Sequence, residues 1–218
     1  MTEVHQTFDW LNPVATMVAA FAGSFFAFAL EQRRRRFEEV RNQLSVARRA
    51  IYALSQMQSF VLQYRKEIGN LYEGKVDAWL NMPVSNISNW RTVKFDDALS
   101  FLLDTSEANV YAEVELERDR YDDFRSLLLK RDELLMDVVF PALGSKVQHG
   151  KPIEKELFEE LLGYTVEPQL KALTNAILDR SASLEKTLVL AHDKLRDALA
   201  KIHPERAMLK FVEDPDEG

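Results

Sequence analysis

The sequence predicts an all-α protein: a single N-terminal transmembrane helix continuing into a cytoplasmic antiparallel bundle of three long helices and two or three short ones. Three observations carry this reading. Residues 10–30 contain no charged side chain. Glycine and proline number only seven each and gather at a few places, leaving long stretches free of helix breakers. Apolar residues recur at spacings of three and four, and no stretch alternates convincingly at period two, so no sheet is expected.

The uncharged segment WLNPVATMVAAFAGSFFAFAL is 21 residues long. At about 1.5 Å rise per residue it reaches roughly 30 Å, the thickness of a bilayer core. Asn12-Pro13 supplies a helix start, with Asn12 as N-cap and Pro13 in the first turn. Trp10 is placed at the outer interface, where an amphipathic ring is favoured. Ala27-Phe28-Ala29 has the look of a signal-peptide cleavage site. The charges run the wrong way for one, with Glu3 and Asp9 before the apolar run and Arg33, Arg34, Arg35 and Arg36 after it. Phe21, Phe25, Phe26 and Phe28 leave no polar face for an interfacial helix. The arginines orient the span, because flanking positive residues stay in the cytoplasm. The expectation is a single pass through the cell (inner) membrane, N-terminus outside and C-terminal domain inside, with Trp10 and Arg33 to Arg36 at the membrane surfaces and the arginines meeting anionic headgroups.

Ala15, Ala19, Gly23 and Ala27 recur every four residues. Such small-residue ridges let two helix backbones approach closely in lipid, so this one is expected to serve a homo-oligomer.

The domain plan is a short extracytoplasmic N-terminus (1–9), the span (10–31), a basic, heptad-patterned helix (32–68), an aromatic connector with a short helix (69–106), the rest of the bundle (107–204) and an acidic tail (205–218). The seam of the first cytoplasmic helix reads Phe37, Val40, Leu44, Ala47, Ile51 and Leu54, suiting a coiled coil with a second copy or one helix of a bundle. It turns polar at Gln58 and Arg65. Gly69 and Gly74 are expected to end the helix. Trp79, Trp90 and Phe95 order the connector, and Asp96 to Leu103 forms a short helix. With Ser106 as N-cap, a long helix runs from about Glu107 to Phe140, its buried stripe being Val110, Val114, Tyr121, Phe124, Leu128, Leu135 and Val138. Ile153 to Leu162 is a short helix stopped by Gly163. The last helix runs from about Val166 to His203, with a stripe of Leu170, Leu173, Ile177, Ser181, Leu184, Leu188, Ala191, Leu195, Ala198 and Ile202.

Charge is uneven along the chain. Residues 31–75 hold ten Lys/Arg against five Asp/Glu, and residues 76–218 hold 18 against 28. The acidic domain disfavours non-specific nucleic-acid binding. Cysteine is absent, which excludes disulfides, thiolate zinc sites and cysteine nucleophiles. Gly69 to Val76 approaches a phosphate-binding loop but has Val76 where Ser or Thr would hold magnesium. His5, His149, His192 and His203 fall in no metal-binding spacing, so no metal or cofactor is expected. Asn86-Ile-Ser88 fits a glycosylation acceptor, without meaning on the cytoplasmic side.

Arg196 and His203 lie two helical turns apart, on one face. Their spacing resembles the Arg-x(4–6)-His motif of the helical ribonucleases of the HEPN superfamily. The resemblance covers this motif and the all-helical content. It implies His203 as general acid/base, Arg196 stabilising phosphate charge, and a site completed across a dimer. Where that family usually has Asn, His or Gln after the arginine, this chain has Asp197, which opposes a phosphate. The reading favoured by the whole sequence is a membrane-anchored helical-bundle protein acting through self-association or by docking a protein partner on its acidic bundle, with a membrane-tethered ribonuclease as the alternative.

Overall fold

A computed structural model describes residues 11–85, 97–144 and 155–204, and these are helical with no strand among them. Trp10, Asn86, Ser88, Trp90, Phe95, His5, His149 and the acidic tail lie outside the described residues. Helix α1 runs over Leu11–Tyr64. It passes through a wide π-helical turn, Arg65–Gly69, into the short α2, Asn70–Tyr72. Then come α3 (Ala78–Asn81), a 3₁₀ helix (Asp97–Asp104), α4 (Ala108–Glu133), a second π-helical turn (Leu134–Val139), α5 (Phe140–Leu143), α6 (Lys155–Leu162) and α7 (Val166–Ile202).

Several boundaries differ from expectation, each for a local reason. Gly69 does not end the first helix. It is buried within the wide turn, where a Cβ would stand 3.1 Å from Cδ of Arg65, so close packing explains the glycine. The chain leaves the helix at Gly74, whose φ of 75° suits glycine alone. Ser106 is not the cap of α4. Thr105 organises that turn, donating its hydroxyl to the Leu102 carbonyl (2.7 Å) and accepting the Glu107 N–H (3.1 Å). The long helix outruns Phe140 because the second wide turn directly precedes Pro141, where an ordinary helical turn would clash with the proline ring. In that turn Val139 is fully buried and Val138 is 40% exposed, the reverse of the expected stripe.

The chain divides into two compact units, residues 1–45 and 46–218. In the first, every residue from Pro13 to Glu39 is exposed. The second has a core in two parts. The larger draws on Ala47, Ile51, Leu54, Met57, Val61 and Tyr64 of α1, Tyr121, Phe124 and Leu128 of α4, and Ile177, Leu184, Leu188 and Leu195 of α7. Helices α4 and α7 pack along one another. The smaller part joins Leu135, Val139 and Leu143 to Phe158, Val166 and Leu170. Each large apolar side chain so buried contributes about 1.5–3 kcal/mol.

The inward stripe of α1 leaves the strict heptad. Met57 and Tyr64 face the core, next to the polar positions Gln58 and Arg65 that a seven-residue repeat assigns to it. Ile51, Leu54 and Met57 follow one another at two successive spacings of three, a stammer that moves the inward face to the residue before each of these two heptad positions. In α7 the stripe runs as expected except at Leu173 and Ile202, which are half-buried, while Thr174 is fully buried.

Candidate functional site

The N-terminal part of α1 is one helix long and apolar enough to cross a membrane, with a mean hydropathy of 1.8 over its best 18-residue window and none of that window buried. The hydroxyl of Ser24 donates to the Ala20 carbonyl at 2.9 Å, so this polar group is satisfied within the helix. Ala15, Ala19, Gly23 and Ala27 are all exposed, and a Cβ on Gly23 would meet nothing within 4 Å.

Beyond the apolar run the arginines are exposed. Arg35 pairs with Glu31 (3.0 Å) and Arg34 with Glu38 (2.9 Å), each one helical turn away. The Arg33 guanidinium lies 5.8 Å from the Phe37 ring centre. Of the heptad seam, Phe37 is exposed, Val40 half-buried, and Leu44, Ala47, Ile51 and Leu54 are buried. Ala47, Ile51 and Leu54 belong to the chain's own core.

A buried polar centre is the feature that sequence reasoning missed. Arg131 is fully buried on α4 in the middle of its apolar stripe. Its Nε donates to Thr174 Oγ1 on α7 at 3.1 Å, its Nη1 to the Pro83 carbonyl at 3.0 Å and its Nη2 to the Met82 carbonyl. The guanidinium thus holds the chain just after α3 against two long helices. Beside it, Asp132 accepts the Ser85 N–H at 3.1 Å and stands 3.8 Å from Arg131 Nη1. Burial pushes the Asp132 carboxyl up to about 6, outweighing the Ser85 N–H and the Arg131 charge. Burial likewise pushes the Tyr64 phenol up, and its hydroxyl contacts Met82 Sδ at 3.6 Å. The available signal was positional: Arg131 sits three residues after Leu128 and four before Leu135, inside the stripe.

A second polar contact joins the long helices, where buried Glu117 of α4 accepts hydrogen bonds from Thr187 of α7 and from Arg120. No cluster of three His, Asp or Glu able to hold an ion occurs among the described residues.

Arg196 and His203 are placed differently from one another. The Arg196 guanidinium lies between two carboxylates of its own helix, 3.3 Å from Asp193 and 3.3 Å from Asp197. His203 follows the last turn of α7 with φ −128° and ψ 66°, outside the helical region, and donates its N–H to the Leu199 carbonyl. Compared with protein families, with characterised proteins and with solved structures, the chain gives no match.

Proposed function

We propose that the chain is a single-span, membrane-anchored protein whose helical domain lies on the cytoplasmic side and acts through self-association or by docking a protein partner. The observation carrying this is the exposure of the whole apolar run from Pro13 to Leu30, which water would penalise at every phenylalanine and lipid would not. Arg33 to Arg36 directly after it support the N-out, C-in orientation at a cell membrane. The domain beyond is taken as an antiparallel bundle in which α4 and α7 lie side by side, offering its acidic surface to the partner. The ridge Ala15, Ala19, Gly23 and Ala27 brings copies together within the bilayer. Arg196 is already held by two carboxylates, so the geometry favours the non-enzymatic reading over the ribonuclease.

The test is oligomeric mass in mild detergent. The full-length chain is expected as a defined oligomer, and Gly23→Ile is expected to shift it toward monomer by blocking the close approach. A monomer in both cases, with no co-purifying partner, would sink the proposal.

A further inference from the structure

We propose that the outer face of α1 from Tyr52 to Gln63 is a contact surface for a second copy of this chain, the two helices running in the same sense. It presupposes the membrane anchor proposed above and adds a self-contact outside the bilayer.

The apolar seam that suits a coiled coil is taken up within the chain, since Ala47, Ile51 and Leu54 lie in its own core. A second seam runs along the other side of the same helix. Tyr52, Gln56, Ser59 and Gln63 follow at spacings of four, three and four, which keep side chains facing a parallel partner helix. All four are exposed, Tyr52 at 65%. Gln56 Nε2 donates to the Tyr52 hydroxyl at 2.9 Å, holding the two side chains together on the surface.

Charge identifies the occupant. Residues 50–64 contain no charged side chain. The exposed faces of the other two long helices do, with Asp119, Asp123 and Lys130 on α4 and Lys171, Asp179 and Lys186 on α7. A two-fold axis between parallel helices sets each seam residue against its own counterpart, so a charge there meets its like. A hydroxyl or a primary amide opposes its counterpart without that repulsion, because it both donates and accepts. Tyr52, Gln56 and Gln63 are groups of this kind. An acidic or basic partner would find no opposite charge on this face. The seam is bounded by Arg49 and Lys66, its next positions in either direction.

The stretch is about 18 Å of helix. That is short for a dimer of free molecules, which needs roughly 1,200–2,000 Å² of buried surface. Two copies anchored in one membrane with the same topology both leave it in the N-to-C direction, which sets their α1 helices in the same sense. Confinement to one membrane also raises their effective concentration, so a contact of this size holds there.

Cysteine cross-linking of the full chain in membranes tests the contact against a background free of native cysteine. On mild oxidation Gln56→Cys and Ser59→Cys are expected to give a disulfide-linked dimer, and Lys186→Cys, exposed on α7, is not. Equal yields at Gln56 and Lys186 would mean random collision and overturn the contact, as would no dimer at any of the three. With Ser59→Cys as reporter, Gln56→Glu and Gln56→Lys are each expected to lower the yield about fivefold, the effect of two like charges about 4 Å apart in water. Co-expressing the two is expected to restore it in the mixed dimer. Unchanged yield in both charged variants overturns the contact. A chain recovered in the membrane fraction without the cross-link fails on this contact alone and leaves the anchor standing. A cross-link that survives Gly23→Ile keeps this contact and removes the need for the ridge.

Discussion

Helix α1 carries two apolar stretches in opposite circumstances. From Pro13 to Leu30 apolar side chains point in all directions and all are exposed, with Phe21 at 73%. From Val46 to Tyr64 they keep to one side. Ala47, Leu54, Met57 and Val61 have no exposed surface, while Tyr52, Gln56, Ser59 and Gln63 face away. The backbone is the same α-helix in both. What differs is the angular distribution of apolar residues. A helix apolar on one face is built for a protein core, and one apolar all round is built for lipid when no protein covers it.

The comparison breaks most sharply with changes that damage one stretch and spare the other. Leu54→Ala is expected to destabilise the helical domain by about 2–5 kcal/mol, through lost burial and the cavity left behind. Chemical denaturation followed by circular dichroism measures it, and the membrane-bound fraction of the folded protein should not change. A loss below about 0.5 kcal/mol would mean the second stretch is not core. Phe21→Arg is the counterpart and the smaller effect. A charge at mid-span opposes insertion by about 2.5–3.5 kcal/mol, so the membrane-bound fraction is expected to fall while the denaturation midpoint of the domain stays put. Equal loss of both would merge the two regions into one folding unit.

The contrast also explains what was legible in the sequence. A helix long and apolar enough to cross a membrane was readable because absence of charge over 21 residues needs no three-dimensional context. The stripes of α4 and α7 were readable from spacing. Two of the departures in the long helices, at Gly69 and at Val138, arose at wide turns, where the residues per turn change without a marker in composition. Gly69 misled because glycine is read as a terminator, and here it makes room for Arg65. Arg131 was passed over for a different reason, despite its position inside the stripe. A lone arginine on a charged helix reads as a solvated face, and only the fold brings the Met82 and Pro83 carbonyls and Thr174 to meet it. The motif that could be named from spacing, Arg196 with His203, is the one whose arginine is occupied by neighbouring carboxylates.

The absence of cysteine makes the most direct test clean. Single cysteines are placed at Thr7 and at Val76, which is 93% exposed, and intact cells are treated with a membrane-impermeant maleimide. A single span with its N-terminus outside predicts labelling of Thr7→Cys in intact cells and of Val76→Cys only after the membrane is opened. Labelling of both, or of neither, in intact cells would contradict the span.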